Sequence, residues 1–184
     1  MCIRDRHYCA LCDSYFYKGK TVGVVGGSDS AAKEALLLAE HASKVYLIYR
    51  KEKIRAEPIN AKRVQANEKI EIIPGTNIVE IRGDSKISEV VFDREYKGSN
   101  VLNIDGVFID IGHIPLSGLA KSLGVKTNNK CEIIIDRNSR TNMPGVFAAG
   151  DVVDSRFKQA ITGVAEGVVA AYNAYEYVCE MSQK

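Results

Sequence analysis

The hydrophobic pattern becomes regular at Lys20. Thr21 to Val25 is a short run of mostly β-branched apolar residues that stops at Gly26 and Gly27, as a strand buried on both faces of a parallel sheet would. Ala31 to Ala42 is rich in Ala, Leu, Glu and Lys with no Gly or Pro, which predicts a helix capped at its start by Ser28, Asp29 or Ser30. Val45 to Tyr49 predicts a second strand, so the stretch reads as strand, glycine turn, helix, strand: a βαβ unit. Further on, Pro58 to Asn67 predicts a helix and Ile70 to Pro74 a short strand. Ile78 to Ile81, Ile87 to Phe92 and Val101 to Ile104 predict a meander joined by Gly, Asp, Ser and Asn turns. Gly106 to Ile111 reads as another buried strand and Leu116 to Leu123 as a short helix. Gly145 to Ala149 reads as a last apolar strand running into Gly150 and Asp151, and Ala160 to Cys179 as a long helix. Ile161, Val164, Ala165, Val168, Val169 and Tyr172 fall on one face of that helix.

Composition changes this picture little. The 184 residues are 46% hydrophobic and 26% charged, with a net charge of +2, which suits a globular α/β protein of one or two cores and argues against a nucleic-acid or membrane-surface partner. No apolar stretch approaches the roughly 18 residues that span a bilayer and no secretory signal layout is present, so a cytoplasmic location is expected. Residues 1 to 8 show neither periodicity nor cap logic, and the first six or seven are expected not to be a native start.

Four motifs carry candidate chemistry. Gly26 and Gly27, with Ser28 and Ser30 opening the helix, form a turn that lets backbone approach a pyrophosphate and points free amides at it. Ser28 stands where the usual fingerprint has a third glycine, and such turns also occur in proteins that bind nothing there. At the end of the second strand, Arg50 and Lys51, followed by Arg55, occupy the place where an acidic residue would hold the ribose of NAD. Cations there favour the 2′-phosphate of NADPH, the alternative being a solvated basic face.

Of five cysteines, only Cys9 and Cys12 share a close, fixed spacing, and Asp13 follows them. Two thiols so placed can close a small disulfide ring and share a depressed pKa, while the carboxylate moves a proton. Zinc is the sharper alternative but lacks a second ligand pair, with His7 the one imidazole nearby, and an inert buried pair is the plainer one. Finally, Gly150 and Asp151 end an apolar run, and Lys158, Gln159 and Ala160 lead into the last helix. This arrangement suits the hydroxyls of a nucleotide or flavin, or simply a capped loop.

Taken in order, these motifs resemble those of low-molecular-weight thioredoxin reductases, in the pyridine nucleotide-disulfide oxidoreductase family. TyrCysAlaLeuCysAsp is similar to their redox-active Cys-Ala-Thr-Cys-Asp, and GlyGlySerAspSerAlaAlaLysGluAla to their NADPH-domain turn. TyrArgLysGluLysIleArgAlaGlu is similar to their His-Arg-Arg segment, while IleGlyHisIlePro and AsnMetProGlyValPheAlaAlaGlyAsp resemble their returning FAD-domain segments. The likeness runs from Tyr8 to Tyr177.

The resemblance implies a Rossmann-like three-layer FAD/NAD(P)-binding fold. Residues 1–13 would carry the redox pair, 14–110 an NAD(P)H-binding domain and 111–184 the C-terminal part of an FAD domain. It implies FAD and NADPH as cofactors, thioredoxin or a similar small disulfide protein as partner, and a homodimeric parent whose NADPH domain rotates between two orientations. Cys12 would be the sulfur near the flavin, Cys9 the thiol that attacks the partner, and Asp13 the acid/base. Arg50, Lys51 and Arg55 would hold the 2′-phosphate, with Gly26, Gly27, Ser28 and Ser30 along the pyrophosphate. Gly150, Asp151, Lys158, Gln159 and Ala160 would line the flavin, with Asp151 on its ribityl hydroxyls. Leu11, Tyr49 and Lys51 replace the family's Thr, His and Arg, and Leu116 and Ser117 stand where Asn and Thr are usual.

The family's first flavin-binding βαβ unit has no counterpart ahead of Cys9. The expectation is therefore an N-terminally truncated reductase whose segment 111–184 exposes faces that the missing half would cover, binds FAD poorly alone and has little activity. A reductase serving a peroxidase or a glutaredoxin-like partner, or a noncatalytic NADP(H)-binding redox sensor, are the competing readings.

Overall fold

Short runs of Val, Ile and Leu separated by glycine turns bury best as central strands, and the computed structural model, which describes residues 6–183, arranges them so. Residues 1–5, with Cys2 and most of the segment expected not to be native, lie outside the described residues. The chain parts after Gly112 into two compact units.

The first unit contains β1 (Arg6–His7), α1 (Ala10–Asp13), β2 (Thr21–Val25), α2 (Asp29–His41), β3 (Lys44–Ile48), α3 (Pro58–Ala66), β4 (Ile70–Ile73), β5 (Ile78–Arg82), β6 (Glu89–Tyr96), β7 (Ser99–Asn103) and β8 (Gly106–Ile109). Its main sheet is five-stranded in the order β1-β8-β2-β3-β4, and every neighbouring pair is parallel. β5, β6 and β7 form a separate antiparallel sheet. A three-layer core results. Val22, Val24, Val45, Leu47 and Phe108 pack with Ala31, Ala35 and Leu38 of α2 in one cluster, while Ile48, Ile73 and Val107 pack with Val90 and Phe92 of β6 in another.

The small side chains of α2 explain how closely it lies on the sheet: Ala31, Ala32, Ala35 and Leu38 are fully buried, and Ser28 caps the helix by accepting the Ala31 amide at 3.3 Å. Glu71 on β4 links the layers. It accepts hydrogen bonds from Tyr96 Oη at 2.8 Å and Lys97 Nζ at 2.7 Å and pairs with Lys44 at 3.0 Å. Burial pushes its carboxyl up, but these partners outweigh burial and bring it to about 2.

The second unit contains α4 (Gly118–Ser122) and α5 (Ala160–Met181). The strand expected over Gly145 to Ala149 is not formed. The Val146 carbonyl accepts from the Thr141 amide and the Ala148 amide donates to Ser139, leaving only an isolated bridge between Arg140 and Phe147. An apolar run becomes a strand only where a neighbouring strand takes up its backbone groups, and this unit's core of Val125, Ile133 and Val153 supplies only single bridges. Along α5, Ile161, Val164, Val168 and Tyr172 form the apolar face expected from their spacing, and they are 61–73% exposed. Among the described residues no helix is long and apolar enough to cross a membrane.

Candidate active site and nucleotide-binding turn

The Cys-x-x-Cys spacing folds into α1, a single helical turn, and this brings Cys9 and Cys12 into a disulfide with their Cα atoms 5.4 Å apart. Cys9 is the N-cap of that turn, and its sulfur accepts the Cys12 amide at 3.2 Å. A backbone N–H directed at the sulfur favours the thiolate over the thiol once the disulfide opens. Both sulfurs are bonded to each other, so neither is a thiolate ligand in this state.

Asp13 ends α1. Its Oδ2 accepts from His7 Nδ1 at 2.7 Å, and the other ring nitrogen of His7 accepts from the Tyr17 hydroxyl at 2.7 Å. The carboxylate can only accept, so it sets the imidazole tautomer, and the ring is held by stacking on Phe108. The side chain of Asp13 is 31% exposed, open enough to exchange a proton with solvent or a bound protein.

On the other side of the loop, Glu34 of α2 accepts the Ala10 amide at 3.1 Å. Burial raises its carboxyl and the charge of Asp110 pushes it further, while the Ala10 amide acts in the opposite direction. Tyr8, Leu11, Tyr15 and Phe16 stand 61–69% exposed on the chain around the pair. Neither His7, Tyr17, Glu34 nor this rim was marked as part of the site by sequence pattern. Only the proximity of His7 to the cysteines hinted at the first.

The glycine turn between β2 and α2 has internal reasons as well as a ligand's. A Cβ on Gly26 would collide with the Asp110 carbonyl, and one on Gly27 would enter the ring of Tyr49. Tyr49, which takes the place of a histidine in the resembling motif, is 6% exposed and lies flat against the turn. The turn is thus held from beneath, with Gly26 N donating to Ile48 O at 3.0 Å and Gly27 O accepting from Arg55 N at 2.6 Å. That last bond, with the Ser28–Arg55 bridge, brings Arg55 beside the first residues of α2, where Ser30 is exposed.

Arg50 and Lys51 follow β3 directly, and the Lys51 carbonyl is tied to Gly75 N at 3.1 Å. The guanidinium and ammonium groups of Arg50, Lys51 and Arg55 are exposed and have no side-chain partner among the described residues. Arg55 beside a helix N-terminus whose first amides lack intrahelical acceptors, with Arg50 and Lys51 on the same exposed segment, fits a phosphorylated nucleotide. Asp29, the first residue of α2, is engaged away from that helix end: its Oδ1 accepts the Glu57 amide and Asn60 Nδ2, and its Oδ2 pairs with Lys33.

In the second unit, Gly150 donates its amide to Glu166 Oε2 at 2.8 Å, and its Cα lies so close to α5 that a Cβ on Gly163 would come within 3.3 Å of it. Asp151 is exposed, with its backbone carbonyl accepting from Lys158 Nζ at 3.1 Å. Lys158 also pairs with Glu132 at 3.1 Å and donates to the Val153 carbonyl, which makes it a clamp on this loop. Gln159 is the N-cap residue of α5, its backbone amide accepted by Thr162 Oγ1 at 3.1 Å, and Ala160 is the first helical residue, exposed. The Asp151 carboxylate and the end of α5 suit hydroxyl and ring atoms of a flavin; the ammonium of Lys158 is already used.

A family model described as pyridine nucleotide-disulphide oxidoreductase matches residues 2–167. The chain is 39% identical to a thioredoxin reductase of Listeria innocua over 182 residues, covering 98% of this chain and 57% of that relative. It is 40% identical to one of Debaryomyces hansenii, covering 96% of this chain and 56% of the other. Among solved structures, the thioredoxin reductase of Streptococcus pyogenes superposes with a TM-score of 0.86 at 36% identity, over 96% of this chain and 58% of that one. That of Giardia duodenalis gives 0.80 at 34%, over 95% and 58%. The chain spans somewhat more than half the length of these relatives.

Proposed function

Because the chain belongs to the pyridine nucleotide-disulphide oxidoreductase family, we propose that it carries the redox disulfide and the NADPH-binding domain of a thioredoxin reductase, together with the C-terminal part of an FAD-binding domain. The supporting observation is the closed Cys9–Cys12 disulfide on the same compact unit as a glycine turn to which the segment carrying Arg50, Lys51 and Arg55 is tied through the Arg55 amide. Residues 14–110 would form the nucleotide domain and 111–184 the flavin part. The working enzyme would be a cytoplasmic homodimer with thioredoxin, or a similar small disulfide protein, as its partner.

NADPH and FAD, when bound, supply the electrons that open the disulfide. Arg50, Lys51 and Arg55 would hold the 2′-phosphate and Gly26, Gly27, Ser28 and Ser30 the pyrophosphate. Gly150, Asp151, Gln159 and Ala160 would face the flavin, with Lys158 keeping their loop in shape.

Once Cys9 and Cys12 are reduced, the Cys9 thiolate attacks one sulfur of the partner's disulfide. A mixed disulfide forms and the partner's other sulfur leaves as a thiolate, taking a proton. The Cys12 thiolate then attacks Cys9, re-forming the Cys9–Cys12 bond and expelling the partner's first sulfur, which is protonated in turn. Asp13, steadied by His7, would hold and pass the proton in both steps. The exposed rim of Tyr8, Leu11, Tyr15 and Phe16 suits a protein surface as the disulfide's carrier.

Cys12 is the more exposed of the pair, whereas the amide bond to sulfur favours Cys9 as nucleophile. Trapping decides between them. Reduced Cys12→Ser protein should form a mixed disulfide with thioredoxin through Cys9, and Cys9→Ser protein should form far less. The reverse pattern would exchange the two roles, and trapping by neither variant would remove the disulfide-exchange reading.

A further inference from the structure

The segment that carries the three cations, residues 49–57, is irregular and is tied down at its two ends in different ways. The end near Arg50 and Lys51 hangs from the β4 side, through Tyr49 N to Ile73 O at 2.9 Å, Thr76 N to Tyr49 O at 3.0 Å and Gly75 N to Lys51 O. The end near Arg55 is tied to the start of α2. Gly27 O accepts the Arg55 amide, and one oxygen of Asp29, Oδ1, accepts both the Glu57 amide at 2.9 Å and the buried Asn60 Nδ2 at 2.8 Å. Its other oxygen pairs with Lys33 at 2.7 Å, one turn along α2. The Lys33 ammonium is the main reason the Asp29 carboxyl sits at about 2, with Asn60 and the Glu57 amide adding to it, so the strap stays charged through the whole pH range in which nucleotides bind.

We propose that Asp29 is a positioning residue for nucleotide selectivity: through Glu57 and Asn60 it fixes the far end of the cationic segment against the glycine turn, so that Arg55 meets a 2′-phosphate already in place. Asp29 itself contributes no positive charge, and its own charge is offset by Lys33. Its effect is to spare the ordering cost of a loop that would otherwise be immobilised only when the nucleotide arrives, a saving that falls on the ligand using that loop. A ligand lacking the 2′-phosphate engages the glycine turn alone and should respond little.

This inference rests on the reading of Arg50, Lys51 and Arg55 as 2′-phosphate ligands, and titration of the full chain with 2′,5′-ADP and with 5′-AMP separates the two. The wild-type chain should bind 2′,5′-ADP more tightly. In Asp29→Ala the affinity ratio should fall about tenfold, nearly all of it lost on 2′,5′-ADP. Asp29→Asn should restore most of the ratio, since an amide oxygen still accepts from Glu57 and Asn60, and Lys33→Ala should leave it unchanged. Asn60→Ala, which keeps the Asp29 carboxylate at the head of α2, should lower the ratio part of the way, and it serves if Asp29→Ala does not fold. A ratio in Asp29→Ala equal to wild type would overturn the positioning role while leaving the cation assignment standing. So would equal losses in Asp29→Asn and Asp29→Ala. A wild-type ratio near one would instead overturn the cation assignment, and this inference with it.

Discussion

Two helices of this chain carry apolar stripes of similar legibility, and they meet opposite fates. α2 has 13 residues and buries Ala31, Ala32, Ala35, Leu38 and Ala39; α5 has 22 and buries only Asn173. The difference lies in what faces them. α2 lies on a five-stranded parallel sheet whose opposite face is covered by the β5–β7 meander, so both sides of the sheet are dry. α5 belongs to a unit with three buried apolar residues in its core cluster and isolated bridges in place of a sheet. Its buried contact is polar: Asn173 donates to the Val169 carbonyl at 2.9 Å and accepts from Arg140 at 3.2 Å. Amphipathic spacing states which face of a helix can be buried; whether it is buried depends on a layer opposite.

The sharpest way to break this contrast is to empty the first core. Phe108 is fully buried and stacks on His7, so Phe108→Ala should cost the first unit about 3–5 kcal/mol, the usual range for a buried aromatic replaced by alanine. Urea unfolding followed by amide exchange should show α2 and the sheet losing protection while α5 stays as it was. Simultaneous loss in α5 would mean that the two units share one folding transition.

A smaller effect comes from the tie between layers. Glu71→Gln should cost about 1–2 kcal/mol at neutral pH, the worth of hydrogen bonds to a charged group. The wild-type carboxyl titrates in the folded state at about 2, below its ordinary 4.5, so its stabilisation is fully present above 4.5 and is lost as pH falls through 2. Thermal unfolding of the two proteins should therefore differ most above pH 4.5 and converge in acid. A constant gap would assign the loss to packing.

The smallest effect is expected on α5. Val168 is 66% exposed, and Val168→Ser should change the stability of the isolated chain by no more than about 0.5 kcal/mol. A loss several times larger, read by the same thermal unfolding, would show that this face is covered in solution.

The redox pair was legible because two thiols three residues apart can close a small ring without help from distant parts of the chain, and the glycine turn because Gly26 and Gly27 end an apolar run at the start of a helix. The layered α/β architecture of the first unit followed from the same periodicities. Less legible was why each glycine is needed: Gly27 makes room for a tyrosine ring that sits 22 residues later, and no local pattern announces that. The strand expected at Gly145 to Ala149 failed because apolar content was visible and a pairing partner was not.

By itself, then, the amino-acid sequence determined the elements of local period, the dithiol, and the three cations after β3, since each depends on neighbours within a few residues. Tertiary structure alone decided the environment of those groups: the His7–Asp13–Tyr17 chain, Glu34 against the Ala10 amide and Asp29 against Glu57 and Asn60. These contacts join residues up to 31 positions apart, and hydrogen bonds of that kind form only after the hydrophobic layers have brought their elements together.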